Sequence, residues 1–353
     1  MTSIRDAKIA GLRVLMRCDF NVPFDAKGAV ADDFRIRATL PTIEYILSKK
    51  GRLVLMTHVG DPNGKPVASL STESVRKKLA ELLDTKVAKA ADCVGKNIEE
   101  ATRAMKQGDV LLLENLRFHK EEQKNDKKFA KQLALLGDIY VNDAFSVCHR
   151  SHASVVGVPR LLPSYTGFFL EQEVQGLEHL LLHPSRPVVA VIGGKKIESK
   201  LPVIDSILKT ADVVLLGNIL ANEAKNKKVK FRNASKVMMA LDGIPGRGKE
   251  FDIGPKTKAV YIKALQSAKT VFWAGPLGMV EDARYEEGSL AIARAIIKSN
   301  AYSVAGGGNL AAFLGKHRLR EKFSHVSTGG SAMLEFLAGK KLPGLKALHY
   351  YGN

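Results

Sequence analysis

Short apolar runs alternate along the chain with stretches whose apolar residues recur at helical spacing. The runs 12–18, 53–57, 110–113, 138–141, 188–192, 213–216, 270–274 and 302–305 are rich in Val, Leu and Ile, and Gly, Asp or Asn bounds them. Such runs predict strands buried on both faces. Amphipathic patterns at 39–50, 72–83, 126–137, 200–211, 256–268 and 285–299 lie between them and predict helices. Strand and helix in alternation predict an α/β fold with parallel sheets covered on both faces. Both halves carry the pattern, so we expect two Rossmann-like three-layer domains. Val174, Leu177, Leu180 and Leu181 share one face of a helix over 171–183, and Pro184 and Pro187 end it. We read 169–186 as an interdomain hinge helix joining domains 1–168 and 187–339.

Composition agrees with a globular chain of that size: 353 residues, 45% hydrophobic and 25% charged. No run is long and apolar enough for a membrane span. Cys18, Cys93 and Cys148 are scattered and form no metal-ligand spacing. The first residues lack the apolar core of a secretory signal, so a cytoplasmic location is expected. Charge changes the picture more. Lys plus Arg number 54 against 36 acids, a net +18, which suits a polyanionic partner. The acid-free run Lys225, Lys227, Lys228, Lys230, Arg232 and Lys236 reads as a solvated face, and no aromatic interleaving marks it as a nucleic-acid site.

The unusual polar residues follow strands, where open parallel sheets bind ligands. In the first half, strand ends lead into Asp19-Phe20-Asn21, into His58, into Glu114-Asn115-Leu116-Arg117 and into Asn142-Asp143, with Arg150 shortly after and Arg35 on a nearby loop. Arg35, Arg117 and Arg150 suit one phosphate or carboxylate; alternatively each pairs with a local acid. In the second half, strands lead into Gly193-Gly194, Gly306-Gly307-Gly308 and Gly329-Gly330. A strand, glycines and a helix start make a phosphate receptor, although a single such turn can be purely structural. Lys196 and Lys200, four apart, are expected to share a helix face. Gly306-x-Gly308-x-x-Ala311 matches a dinucleotide fingerprint loosely, without its later acid. An anion site in one half and a nucleotide-like site in the other suit phosphoryl transfer.

Nine segments, in order along nearly the whole chain, resemble the phosphoglycerate kinase family: RCDFNVP (17–23), FRIRATLPTI (34–43), ENLRFHKEE (114–122), YVNDAFSVCHRSHAS (140–154), VIGGKKIESK (191–200), FDIGPKT (251–257), WAGPLGMVE (273–281), AGGGNLAAF (305–313) and HVSTGGSAMLEFLAGKKLPGLKAL (325–348). The resemblance implies reversible transfer of the acyl phosphate of 1,3-bisphosphoglycerate to MgADP, giving 3-phosphoglycerate and MgATP, with domain closure about the hinge. It implies a monomer that needs Mg²⁺ and has no membrane or nucleic-acid partner. Asp19, Phe20, Asn21, Arg35, His58, Arg117 and Arg150 match phosphoglycerate-binding positions. Gly194, Lys196, Lys200, Gly217, Glu281, Gly307, Gly308, Asn309 and Leu310 match nucleotide positions. Arg35, Lys196, Gly329 and Gly330 match those that serve the moving phosphoryl group. Segment 340–353 is expected to return to the first domain.

Several positions depart from the family pattern. Asp61 stands where a phosphate-binding arginine is usual, and Ser146-Val147-Cys148 where GTA is usual. Asn218-Ile219 stands in a glycine run, Ala274 for Asn and Ser331 for Gly. Asn309 replaces the acid expected to approach Mg²⁺; its carbonyl remains an uncharged metal ligand. Segment 223–250 is short, basic and unlike the family. An active kinase with a changed nucleotide pocket is the expectation; the alternative is a weakened relative that only binds.

Overall fold

The computed structural model describes residues 1–246 and 250–352. Two compact units divide the chain: Met1–Gln172 together with the C-terminal stretch from Lys341, and Glu173–Lys340. The helix Phe168–Leu182 runs in sequence from the one into the other.

The first unit is built on six strands: β1 (Arg13–Arg17), β2 (Arg52–Met56), β3 (Val87–Lys89), β4 (Val110–Leu112), β5 (Ile139–Asn142) and β6 (Ser164–Thr166). They order as β3-β4-β2-β1-β5-β6, every neighbour parallel. Val14, Met16, Leu53, Leu55 and Val141 point into one core together with Ile36, Ile43 and Ile46 of the helix Phe34–Ser48. Helix starts follow local chemistry. Asp126 accepts from the amides of Lys128 and Phe129 at 2.9 Å and starts the helix Lys127–Ala134. The C-terminal helix Pro343–Ala347 docks here: the Gly344 amide donates to the Cys148 carbonyl at 2.8 Å, and Leu342 and Leu345 are buried. A Cβ at Gly344 would lie 2.9 Å from the Cys148 Cα, so the close approach requires glycine.

The second unit holds β7 (Val188–Ile192), β8 (Val213–Leu216), β9 (Val237–Met238), β10 (Gly243–Pro245), β11 (Glu250–Ile253), β12 (Thr270–Ala274), β13 (Tyr302–Gly306) and β14 (His325–Ser327). Six of them form a second all-parallel sheet, β14-β13-β12-β7-β8-β9, while β10 and β11 pair antiparallel. β7 and β12 are buried along their whole length, which explains their unbroken apolar sequences. Trp273 sits at the end of β12, and its indole N–H is satisfied by the Gly275 carbonyl at 2.9 Å.

The expected strands recur to within a residue or so at their ends. The short edge strands β3, β6 and β9 and the β10–β11 ribbon were not anticipated. One expectation is corrected. Lys196 and Lys200 do not share a helix face, because the helix here spans only Leu201–Ile207. Pro202 sits in its first turn, and both lysines lie on the turn before it.

Candidate active site

In the first unit, the loop after β1 carries Asp19 and Asn21. Asp19, almost fully buried, pairs with Arg35 and accepts from the Ser146 hydroxyl at 2.5 Å. The Asn21 side-chain Oδ1 accepts from the Gly60 amide at 2.9 Å, which ties this loop to the one after β2. Phe20 presents no side chain to a ligand: its ring is wholly buried in the core and its amide donates to the Thr57 hydroxyl at 3.0 Å. Alternation along the loop sends Asp19 and Phe20 to opposite sides, so Phe20 anchors what its neighbours present.

The loop after β2 brings His58 and Asp61. His58 is buried at the end of its strand, and Arg17 Nη2 lies 3.2 Å from its Nδ1. Burial first, then the charges of Arg17, Arg117 and Arg35, hold its pKa well below 6.5. Arg117 follows β4, donates to the Gly60 carbonyl at 2.9 Å and keeps a buried Nε with no partner. Burial is also the chief cause that lowers the Arg117 pKa. A buried guanidinium N–H without an acceptor is costly unless an anion arrives to take it. Asp61 is exposed; it stands 3.8 Å from Arg117 and accepts from Gln123 at 3.1 Å. Arg150 is exposed and makes no ion pair among the described residues. The local-acid reading therefore holds for Arg35, weakly for Arg117 and not for Arg150.

Several residues of this site were missed by the sequence reading. Arg17 ends β1 with 1% exposure, after the buried apolar residues Val14, Leu15 and Met16. Its Nε donates to the Ser154 hydroxyl at 3.0 Å, and that hydroxyl donates to Glu122 at 2.6 Å. His152 is nearly buried too, and burial with the charge of Arg17 lowers its pKa to about 4. The signal was present in the sequence as a charged residue, Arg17, one position before the end of the run 12–18.

In the second unit, the three glycine turns meet around a cleft of about 360 Å³. Gly194, Lys200, Glu281, Gly307, Gly308, Asn309, Leu310 and Gly330 all line it. Lys195 lines it as well and was not anticipated. Lys196, Gly217 and Gly329 do not. Lys196 is exposed on the turn after β7; Gly217 backs onto Leu277; the Gly329 amide is turned to the Ser327 hydroxyl at 3.0 Å. The glycines have separate reasons. A Cβ at Gly193 would overlap the carbonyl oxygens of Gly275 and Pro276, so the ends of β7 and β12 can close up only around a bare Cα. Gly307, at φ 108° and ψ 139°, holds a backbone that L residues avoid and starts the helix Gly308–Lys316, whose first residues line the cleft.

The charged side chains of the cleft are two lysines, Lys195 and Lys200, against one carboxylate, Glu281. Burial lowers the Lys200 pKa. Glu281 lies 3.8 Å from Lys195 and accepts from Asn309 at 3.4 Å. Ile219, Leu310, Met333 and Leu334 supply an apolar wall. Oxygen donors from Asn309 and Glu281 are the kind a hard cation takes, and Mg²⁺ typically uses few protein ligands beside phosphate oxygens. The basic run, by contrast, is partly spent locally. Lys227 pairs with Glu198 and Glu223, Arg232 lies 3.7 Å from Asp205, and Lys236 donates to the carbonyls of Leu208 and Ala211.

The family model for phosphoglycerate kinase matches residues 4–228 and 218–340. Phosphoglycerate kinases of Pelotomaculum thermopropionicum and Moorella thermoacetica are each 41% identical over 387 aligned positions, covering 98% of this chain and 98% of theirs. The aligned length exceeds the 353 residues present, so the chain is shorter than these relatives, and the family match breaks in two at 218–228. Among solved structures, phosphoglycerate kinase from Pyrococcus horikoshii OT3 superposes with a TM-score of 0.89 at 30% identity, covering 99% of this chain and 98% of that one. The enzyme from Coxiella burnetii gives 0.82 at 31%, covering 99% of each chain.

Proposed function

The chain belongs to the phosphoglycerate kinase family, and from that premise we propose that it moves the acyl phosphoryl group of 1,3-bisphosphoglycerate to MgADP, reversibly. The family relationship supports a working phosphotransferase rather than a protein that only binds. The first unit would hold phosphoglycerate through Asn21, Arg35, His58, Arg117 and Arg150, with Asp19 orienting Arg35. The second would hold the nucleotide, with Gly307 and Gly308 amides and Lys200 on its phosphates and Glu281 towards the ribose. Asn309 would offer its side-chain oxygen to magnesium bound with the nucleotide, and that ion would supply neutralisation of phosphate charge. The chain's own residues do the positioning.

In the forward direction a β-phosphate oxygen of ADP forms the new P–O bond while the bond to the carboxyl oxygen breaks. The carboxylate of 3-phosphoglycerate leaves with the electron pair. Charge spread over the moving group calls for cations and fixed amides rather than an acid or base. Arg35, Lys196 and the Gly330 amide take that role in our reading, while the Gly329 amide is held by the Ser327 hydroxyl. Lys196 is exposed, so its ammonium can swing to the phosphoryl group, while Lys195 and Lys200 stay with the nucleotide. Transfer between ligands held on different units calls for them to be brought together with water excluded.

The observation that carries this reading is the convergence of three glycine turns and two lysines on one cleft. A coupled assay with 1,3-bisphosphoglycerate and either ADP or GDP tests it. ATP or GTP formation is the expected result; folded protein that forms neither refutes it. No helix among the described residues is long and apolar enough to cross a membrane. We take the enzyme to act as a cytoplasmic monomer on small-molecule substrates, without nucleic acid.

A further inference from the structure

Beneath the arginines of the first unit lies a buried polar chain that the catalytic reading does not use. Arg17 reaches it from the last position of β1, a central strand, where it is in register with Met56 and Asn142. Three directions of the guanidinium are fixed. Nη1 donates to the Cys18 carbonyl, Nε to the Ser154 hydroxyl at 3.0 Å, and Nη2 lies 3.2 Å from His58 Nδ1. Ser154 is itself held: its carbonyl accepts from the Tyr140 hydroxyl at 2.8 Å, and its amide donates to Glu122 at 2.9 Å. Glu122 has no exposure at all. It is the buried counter-charge to Arg17, relayed through one hydroxyl.

The consequence lies in the chemistry of the donors. A guanidinium only donates, and it keeps its protons in any protein. The imidazole nitrogen facing it must therefore be the bare, accepting one. That leaves the ring's single proton on Nε2, which no group among the described residues accepts. We infer that Arg17 is a positioning residue for phosphoglycerate recognition: anchored by Ser154 and Glu122, it fixes His58 as the Nε2–H tautomer and so presents an N–H donor to the bound anion.

This inference rests on reading the first unit as the phosphoglycerate site. It explains why an arginine is buried next to a histidine, an arrangement that would be repulsive were the ring charged. The burial and the arginines around His58 act in the same direction, disfavouring the imidazolium. The site thus gains a directional donor without another formal charge beside Arg35 and Arg117, whose mutual repulsion in the free enzyme would otherwise grow. Arg17 acts through His58 and touches no substrate.

The test begins with the intact protein. Long-range ¹H–¹⁵N correlation on ¹⁵N-histidine-labelled chain should show His58 with a bare Nδ1 and a protonated Nε2 throughout the neutral range. An Nδ1–H ring, or one protonated on both nitrogens, overturns the proposal. Because Arg17→Met alone would strand Glu122, the variant to make is Arg17→Met with Glu122→Gln. It should let His58 populate Nδ1–H and raise the phosphoglycerate KM about tenfold, one charge-assisted hydrogen bond, while kcat stays within about twofold. Arg17→Lys with Glu122 retained keeps a donor-only cation towards Nδ1 and should keep both the tautomer and the KM near wild type. An unchanged tautomer in the Met variant overturns the proposal; if that variant does not fold, the wild-type spectrum decides alone. A wild-type spectrum as expected from a protein that neither binds nor turns over 3-phosphoglycerate would leave the relay standing and sink the proposed function.

Discussion

Asp143 is a carboxyl group in the wrong place for its charge. It follows β5, is completely buried, and accepts from the Leu170 amide at 2.9 Å while its other oxygen has no partner. Burial pushes its pKa up from 3.8 to about 7, more than the amides of the helix Phe168–Leu182 can offset. The folded state therefore holds this proton more tightly than the unfolded chain does. The sign follows: the contribution to stability is full below pH 3.8 and is lost as pH rises through about 7. A rise of about three units at 1.36 kcal/mol each makes the loss about 4 kcal/mol between acid and alkaline conditions. Asp143→Asn keeps the oxygen that accepts from Leu170 and removes the titration. Amide exchange at Leu170, corrected for intrinsic rate, reads the local opening free energy of that helix start. The margin of the variant over wild type should grow by about 3 kcal/mol between about pH 5 and about pH 9, two units of the titration below pH 7 at 1.36 kcal/mol each. A gap between the two proteins that does not change with pH would refute the reasoning, as would wild type being the more protected at alkaline pH.

The glycines of the nucleotide cleft should separate by cause. Gly308→Ala should fold normally, since its Cβ meets nothing within 4 Å, yet raise the nucleotide KM about tenfold by intruding on phosphate space. Gly193→Ala should lower Tm instead, because its Cβ collides with the carbonyls of Gly275 and Pro276. Lys196→Ala should cut kcat by at least about a hundredfold with phosphoglycerate affinity kept, whereas Lys195→Ala should act mainly on nucleotide KM; equal effects from the two would count against dividing their roles. Asp61→Ala removes a carboxylate 3.8 Å from Arg117 and should lower the phosphoglycerate KM a few-fold, more at low salt. A KM that rises would mean Asp61 helps to hold the ligand.

The sequence disclosed this site because parallel sheets collect polar residues at strand ends. Asp19, His58, Arg117, Gly193 and Gly306 each follow an apolar run, and each lies in the first- or second-unit cluster it was read into. What periodicity cannot carry is the direction of a side chain within a loop. Phe20 and Asp19 are neighbours, yet one is core and the other holds Arg35. Lys195 and Lys196 are neighbours too, and the cleft takes the one that motif matching passed over. The expected helix face for Lys196 and Lys200 failed because Pro202 marks a helix start, not a helix interior.

Long-range pairing was hidden for a different reason. Arg17 and Ser154 are 137 residues apart, and nothing local in either segment names the other. Glu122, read as one more charge in ENLRFHKEE, is buried because the sheet brings Ser154 to it. Four arginines can gather at a site awaiting an anion only if some of their charge is offset meanwhile. Asp19 does this for Arg35, Glu122 for Arg17, and His58 by staying neutral. The acids paired with these arginines are thus as much a part of phosphate recognition as the arginines, and removing Glu122 alone should tighten nothing: it would leave a buried guanidinium without its counter-charge and cost the fold before it changed the ligand.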